Sequence, residues 1–295
     1  MSQAALTARV ATSRRRSTKG GGSGTSWGSP TTYLVATVLI AVCIAPVLYI
    51  ILGGFRSNSQ ITVNPSGWPD PWVFTNYTAV LASPLFWQQF GNSMISGVST
   101  TAATVALALM ASFVIARYNF AGRNAMYALF AAGLMFPITV AITPLYLLVK
   151  NLGLTNSLAG IILPQIAFAL PVAVIILVPF MAAIPKELEE AAAIDGASRL
   201  GFFFRMVLPL SLPGVITTGI LTFVNAWNQY LLPLFILNDS ASYTLPLGVQ
   251  AFSSEHSVDT AAVLAFTSLS MLPALVFFSI FERRIVGGLT GAVKG

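Results

Sequence analysis

The stretch Leu158–Ala182 decides the fold class, reading LAGIILPQIAFALPVAVIILVPFMA without a single charged side chain. About 20 predominantly apolar residues are enough for a helix to cross the hydrocarbon core of a bilayer. A charged side chain at the bilayer centre costs roughly 2.5–3.5 kcal/mol on insertion scales, so uncharged runs of this length are typical of membrane spans. The stretch therefore predicts a transmembrane helix.

The composition of the whole chain agrees with this interpretation. Of the 295 residues, 56% are apolar and 8% are charged, whereas soluble domains carry about 25% charged residues. Cys43 is the only cysteine and His256 the only histidine, which excludes a disulfide scaffold and argues against a metal or haem site. The net charge of +6 is explained by loop bias around membrane spans, and no nucleic-acid partner is expected.

Six uncharged runs are long enough to cross the membrane. They are Tyr33–Phe55, Ser93–Ala116, Asn124–Val149, Leu158–Ala182, Ser211–Leu237 and Thr260–Phe281. They predict an all-α membrane protein with six transmembrane helices. Pro137 and Pro144 in the third run and Pro233 in the fifth predict kinks, because proline frees a carbonyl that neighbouring helices must satisfy. Whether such kinks serve movement or only packing is open at this stage.

The distribution of Lys and Arg among the loops predicts the orientation. With a cytoplasmic N-terminus, one side carries Arg9, Arg14, Arg15, Arg16, Lys19, Arg117, Arg123, Lys186, Arg199, Arg205, Arg283, Arg284 and Lys294. The other side carries only Arg56 and Lys150. Because cytoplasmic loops are enriched in basic residues, we expect a multi-pass protein of the inner (plasma) membrane with both termini in the cytoplasm.

The two ends of the chain differ in composition from the spans. Residues 1–32 are rich in Arg, Ser and Gly, which predicts a disordered cytoplasmic tail with a weak attraction to anionic lipid. Residues 33–282 form the transmembrane domain, and 283–295 a second cytoplasmic tail. The tail contains Gly287, Gly288 and Gly291 and is expected to be too flexible for a stable helix.

The loop between the fourth and fifth runs, residues 183–210, carries the most informative pattern. Its first part, PKELEEAAAI from Pro185, favours a helix because acids lie near the N-terminus and alanine has the best helix propensity. Asp195-Gly196 is a turn signal, and the aromatic, basic segment from Arg199 follows. We expect a helix–turn–helix along the cytoplasmic surface whose alanines admit a partner backbone, so that a bulky residue at Ala192 would prevent docking.

Here the sequence resembles a known family. Glu190-Ala191-Ala192, then Gly196, then Met206-x-Leu208-Pro209 is similar to the EAA motif of the permease subunits of bacterial binding-protein-dependent ABC importers, with Met206 where isoleucine is usual. The run EAAAIDGAS looks like the carbohydrate branch, similar to the smaller permease of the maltose system. Weaker matches are Thr75–Tyr77, Asn92-Ser93, Pro144–Tyr146, Leu152–Asn156, Trp227-Asn228, Pro233-Leu234 and the C-terminal tail from Val286.

The resemblance implies an assembly. The chain would pair with a second permease subunit as a heterodimer, with two ATP-binding subunits below, an extracytoplasmic solute-binding protein above, and a sugar as substrate. The loop would be the coupling helix, with contacts to the ATPase from Glu190, Ala191, Ala192, Asp195, Gly196, Ala197, Leu208 and Pro209. The tail residues Gly288, Thr290 and Lys294 would also reach the ATPase. No catalytic or metal-binding residues and no cofactor are expected, because the partner ATPase would bind ATP and magnesium and this chain has no Gly-x-x-x-x-Gly-Lys-Ser/Thr loop.

Amide side chains within the spans are candidates for lining a polar route. They are Gln165, Asn225, Asn228 and Gln229. Such amides can equally tie helices together, with about 0.6 kcal/mol typical for each bond, so both interpretations stay open. An alternative function is a secondary carrier for a small polar solute driven by an ion gradient. Such carriers usually place ionisable residues within their spans, and the six runs contain no Asp, Glu, Lys or His.

Overall fold

The computed structural model describes residues 30–252 and 259–293, and every regular element in these ranges is helical. The basic tail predicted for residues 1–32 therefore lies almost wholly outside the described residues, as does Lys294. The helices are α1 (Pro30–Gly53), α2 (Asn58–Val63), α3 (Thr75–Ala82), α4 (Pro84–Arg117), α5 (Arg123–Gly133), α6 (Ile138–Asn151), α7 (Leu158–Ala182), α8 (Lys186–Ile194), α9 (Arg199–Phe202), α10 (Leu208–Leu210), α11 (Leu212–Trp227), α12 (Leu231–Ile236), α13 (Leu245–Gly248) and α14 (Thr260–Val293). A π-helical turn, Phe203–Val207, joins α9 to α10, and 3-10 turns cover Ser240–Ser242 and Val249–Phe252.

Among the described residues, four helices are by themselves long and apolar enough to cross a membrane: α1, α4, α7 and the Thr260–Ile280 part of α14. The count rises to six if α5 with α6, and the segment Arg199–Leu210 with α11, each form one bent span. The uncharged run from Leu158 to Ala182 is helical over the predicted bounds. The all-α membrane class is thus confirmed.

Two of the predicted runs are broken rather than gently kinked. The axes of α5 and α6 meet at 98°, and Pro137 occupies the N-cap position of α6 with an extended backbone. Proline has no N–H to continue the helical ladder, and it disfavours helical geometry in the residue before it. In the fifth run, α11 ends at Trp227 and the short α12 resumes at Leu231. Pro137 therefore stands at the break of the third run, whereas Pro233 lies inside α12 and Pro164, Pro171 and Pro179 all lie inside the unbroken α7.

The centre of the fold is the contact between α4 and α7, the most extensive in the protein. Small residues allow the two helices to approach, because Ala108 of α4 and Ala173 of α7 are both buried in one cluster with Leu177. Close contact through small side chains is how membrane helices gain packing energy in a solvent as apolar as their own side chains. Large apolar side chains such as Met110, Leu129 and Val140 are exposed, as expected for surfaces that face lipid.

The segment after α1 is held by one buried arginine. The guanidinium of Arg56 donates hydrogen bonds to the carbonyl of Pro65 at 2.9 Å, to that of Gln60 at 2.7 Å, and to that of Asn64. Its side chain is 2% exposed. The carbonyls of Gln60 and Asn64 lie at the C-terminal end of α2, where a cation is favoured by the helix dipole. Ser57 closes the other end of α2 in a capping box with Gln60.

The prediction of a non-helical C-terminal tail is wrong for the described residues. Helix α14 continues to Val293 through Gly287, Gly288 and Gly291. Each glycine costs about 1 kcal/mol in a helix relative to alanine, but it keeps the N–H and C=O groups that the ladder needs. A helix that is already nucleated can absorb this cost. Gly288 and Thr290, proposed from the resemblance to contact an ATPase, therefore lie in the last turns of a helix.

Candidate functional sites: the loop after α7 and the polar cavity

Helix α8 begins where the sequence predicts. Pro185 occupies the N-cap position, and Glu187 and Glu189 lie in the first turn, where a negative charge is stabilised by the positive end of the helix dipole. The helix then continues through Ala191–Ala193 to Ile194. One face presents the exposed residues Glu187, Glu190, Ala191 and Ile194, which follow the i, i+3, i+4, i+7 spacing of a single helical stripe.

Gly196 ends the helix in a left-handed turn. Its φ is +77°, a conformation that side chains with a Cβ rarely adopt. The N–H of Ala197 donates to the carbonyl of Ala192 at 2.9 Å, and the N–H of Gly196 to that of Ala193 at 3.1 Å. This pair of bonds is a Schellman motif, which satisfies carbonyls left free at the helix end. Asp195 is the C-cap residue and its side chain is exposed, together with Gly196 and Ala197.

The second half of the loop begins at a serine cap and ends at prolines. The hydroxyl of Ser198 accepts a hydrogen bond from the N–H of Gly201 at 3.1 Å, which starts α9. The following π-helical turn precedes Pro209, whose missing N–H prevents a regular α-helical ladder at this point. Pro209 is exposed and Leu208 is half-buried. The axis then bends by 74° between Leu210 and Leu212.

The loop packs against the C-terminal ends of α4 and α7, that is, against the residues around Phe113 and Met181. A buried cluster joins Phe113 of α4 and Met181 at the end of α7 to Ala192, Phe202 and Phe203 of the loop. Ala192 is 8% exposed, so the expectation that it contacts a partner does not hold in this structure. The cause is the helical period: Leu188 and Ala192, four residues apart, face the chain itself, while Ala191 and Ala193 remain exposed.

A half-buried ion pair joins the loop to the end of α4. Arg117, the last residue of α4, donates to Glu189 Oε2 through Nε at 3.0 Å and Nη2 at 2.7 Å. Its Nη1 donates to the carbonyl of Ile184 at 2.6 Å, and its guanidinium lies 5.8 Å from the ring centre of Phe202. The side chain of Arg117 is 3% exposed and that of Glu189 33%. This pair could not be predicted from the sequence, because its partners are 72 positions apart in the chain and no local pattern joins them.

The exposed surface of the loop combines acids with large apolar side chains. Ile194 is 87% exposed and Leu200 69% exposed, on either side of the Gly196 turn. Glu190 carries no ion pair among the described residues. Exposed apolar side chains beside an acid without an ion pair are typical of a protein–protein interface. Such interfaces have an apolar centre and complementary charges at the rim.

A cavity of about 270 Å³ lies between α4, α6, α7 and α11, and its lining mixes apolar side chains with several polar ones. Its lining includes three of the four predicted amides, Gln165, Asn225 and Gln229, together with Thr100 and Thr218. Asn228 is exposed and does not line it. Asn225 donates to the carbonyl of Leu221 at 2.8 Å, which leaves its side-chain oxygen available.

Gln165 is the best-positioned polar group in this cavity. Its Oε1 accepts hydrogen bonds from the hydroxyls of Thr100 at 2.9 Å and Ser96 at 3.3 Å, both on α4. Its Nε2 has no partner, and neither has the buried hydroxyl of Thr218. Gln165 therefore ties α7 to α4 and also has a donor without a partner, so its place on a polar route stays a prediction. Thr100 and Thr218 were missed because threonine is common in membrane helices and gives no signal by itself.

The described residues contain no group of His, Cys, Asp and Glu that could hold a metal ion. What the two sites can do is bind: the loop can bind a partner protein and the cavity can bind water or a polar solute.

Comparison with known proteins finds a matching family and relatives that cover most of the chain. A family model described as "Binding-protein-dependent transport system inner membrane component" matches residues 105–287. The diacetylchitobiose uptake system permease protein NgcG of Streptomyces coelicolor is 35% identical over 84% of this chain and 83% of its own length. The trehalose transport system permease protein SugB of Mycobacterium tuberculosis is 36% identical over 88% of this chain and 95% of its own.

A solved structure shares the fold. One chain of a bacterial ABC transporter involved in the import of the acidic polysaccharide alginate superposes with a TM-score of 0.74 at 19% identity, covering 86% of this chain and 94% of that one. The family match over residues 105–287 and the two sequence relatives agree on the same class of transport protein. The chain belongs to the inner membrane components of binding-protein-dependent transport systems, and is the permease subunit of such a transporter.

Proposed function

We propose that this chain forms one half of the transmembrane pathway of an ATP-driven importer for a sugar or oligosaccharide. The observation that carries the proposal is the match to permeases of carbohydrate systems over most of the chain, with the EAA loop folded as an exposed helix–turn–helix. Relatives named for diacetylchitobiose and trehalose support a sugar as the substrate class. The secondary-carrier alternative is disfavoured, because the family depends on a binding protein.

The proposed assembly contains a second permease subunit, two ATP-binding subunits and an extracytoplasmic solute-binding protein. Counting each bent pair as one span gives six spans, which supports termini on the same side of the membrane. The excess of Lys and Arg in the loops supports the cytoplasm as that side. In this orientation the loop after α7 faces the ATPase, and ATP and magnesium are bound there, outside this chain.

The proposed coupling contact is the exposed stripe of α8 and the turn that follows it. Glu190 and Ile194 extend from one face, and Gly196 turns the chain away so that a partner can approach the helix end. Ala191, Asp195 and Ala197 complete the surface, with Leu208 and Pro209 leading into the membrane. The last turns of α14, with Gly288 and Thr290, are a second proposed contact.

The proposed route for the sugar passes the cavity lined by Gln165 and Asn225. A volume of about 270 Å³ is far larger than a single water molecule needs, so the cavity has room for several waters or for part of a sugar. The unpaired Nε2 of Gln165 and hydroxyl of Thr218 would bind sugar hydroxyls in passing. The chain thus performs no covalent step, and its work is to bind, orient and change conformation.

The experiment that tests this function is purification of the complex with a charge reversal at Glu190. Glu190→Lys is expected to insert into the membrane but to lose the ATP-binding subunit and sugar uptake, because the reversed charge meets a basic partner surface. Ser66→Lys, an exposed position in the segment before α3, is the control and should retain both. If Glu190→Lys keeps a full complement of ATPase and normal uptake, the loop is not the docking element. Uptake that persists without any ATPase and follows an ion gradient would establish the carrier instead.

A further inference from the structure

The loop after α7 is covalently joined to only two of the long helices. It follows α7 directly and leads through the π-helical turn into α11. Helix α4 is not its neighbour in sequence, yet α4 contributes Thr100 to the cavity wall and Phe113 to the buried cluster under the loop. A movement of the loop therefore reaches α4 only through non-covalent contacts, either through the packing of α7 on α4 or directly through the contacts that Phe113 and Arg117 make with the loop.

The Arg117 side chain contacts three parts of the loop at once. Its Nε and Nη2 bind the carboxylate of Glu189 in the middle of α8, and its Nη1 binds the carbonyl of Ile184 just before that helix. Phe202 of α9 lies against the same guanidinium. Charge-assisted bonds of this length are about twice as strong as neutral ones. The Arg117 side chain is 3% exposed and that of Glu189 33%, so water reaches the carboxylate but hardly the guanidinium.

A straight path leads from this contact to the cavity. Arg117 and Thr100 are 17 residues apart on the single unbroken helix α4, which at about 1.5 Å per residue is roughly 25 Å. At the far end, the hydroxyls of Thr100 and Ser96 bind Gln165 of α7. Helix α4 thus connects the Arg117–Glu189 ion pair under the loop to Thr100 in the wall of the cavity. It is one unbroken helix, and a specific side-chain contact is made near each end.

We propose that Arg117 is the positioning residue that couples the loop to α4, so that displacement of the loop by an ATPase moves the cavity wall. The inference rests on the proposed function. Loss of this contact leaves the exposed docking stripe in place but allows the loop to move without α4. The expected consequence is ATP hydrolysis with less sugar transported for each ATP, which a purely structural role would not produce.

The test uses the whole complex in proteoliposomes with the sugar-loaded binding protein, and measures sugar transported per ATP hydrolysed. Glu189→Gln removes the charge, and Arg117→Lys keeps a cation that cannot make all three bonds. Both are expected to keep the ATPase bound and to lower the ratio about fivefold or more, the lower end of coupling between sites. Arg117→Met is expected to lower it further. Arg123→Met is the matched control, because Arg123 is paired only with the side chain of Asn119 among the described residues, at 2.9 Å.

The outcomes separate this inference from the proposed function. If Arg117→Lys and Glu189→Gln transport as much sugar per ATP as Arg123→Met, the coupling role is refuted. If both instead lose the ATPase from an inserted permease, Arg117 serves docking only and the inference also fails. If the unaltered complex shows no ATP-dependent uptake at all, the proposed function fails independently of Arg117.

Discussion

Replacement of Gly196 tests whether the left-handed turn after α8 is required for docking. An L-residue in this conformation costs about 1–2 kcal/mol relative to glycine. The alternative is to abandon the two hydrogen bonds from Gly196 and Ala197, which costs a comparable amount at about 0.5–1.5 kcal/mol each. Gly196→Ala is therefore expected to shift the turn about 5- to 30-fold toward its frayed form, as 1–2 kcal/mol does for any two-state equilibrium.

The series Ala, Val and Asn at this position separates backbone strain from steric blockage. Apart from its two chain neighbours, no heavy atom of the described residues lies within 4 Å of a Cβ built on Gly196, so backbone strain is the cost expected within this part of the chain. Gly196→Val is expected to be worse than Gly196→Ala, because β-branched residues are outliers at positive φ. Gly196→Asn is expected to be near normal, because asparagine tolerates this region, as Asn156 does here at φ +53°.

The assay is the amount of ATPase that co-purifies per permease, together with the amount of permease inserted. Gly153→Ala is a matched control at the other end of the spans. Gly153 has φ +69°, and apart from its chain neighbours no heavy atom of the residues that the structure describes lies within 4 Å of a built Cβ. Both alanine variants should insert equally, and only Gly196→Ala should lose ATPase. Equal loss from both, or a full complement of ATPase with Gly196→Val, would refute the reasoning.

Three further predictions address other parts of the chain. Ala192→Leu is expected to destabilise the permease by about 1–3 kcal/mol through overpacking, lowering its thermal unfolding temperature in detergent, whereas Ala193→Leu at an exposed neighbour should not. In a Cys43→Ser background, Ser66→Cys should react with a membrane-impermeant thiol reagent in intact cells and Ser198→Cys only after the membrane is opened; labelling of Ser198→Cys from outside would reverse the orientation. Gln165→Leu should lose two bonds to α4, about 0.6 kcal/mol each in membranes, and should lower uptake several-fold while ATPase remains bound. Unchanged uptake would remove Gln165 from the route.

The span α7 could be predicted from the sequence at both ends because it depends on local information alone. An uncharged run of 25 residues has no alternative to a helix in lipid, and Ser157 and the end of the run mark its limits. The break between α5 and α6 was predicted only as a kink, because Pro137 signals an interruption but not its angle. Both helices pack against α7, and such contacts between distant parts of the chain are not visible in the local sequence.

The loop was predicted as a helix, a turn and a second segment, and each is present. What could not be predicted is which side of α8 faces the chain. Three consecutive alanines are equally small and equally apolar on every side of the helix, so the burial of Ala192 beside exposed Ala191 and Ala193 depends on Phe113 and Phe203 from other elements. Glu190 was predicted as a contact residue because it belongs to the motif. Glu189, the acid that is paired within the chain, was not, because no local pattern connects it with Arg117.

The two arginines with buried side chains, Arg56 and Arg117, differ in the groups that bind their guanidinium groups. Arg117 is balanced by the carboxylate of Glu189, a side chain of another helix. Arg56 is bound instead by the backbone carbonyls of Gln60, Asn64 and Pro65. The acceptors of Arg56 therefore survive a change of side chain at those three positions, whereas a single substitution of Glu189 removes the carboxylate that binds Arg117.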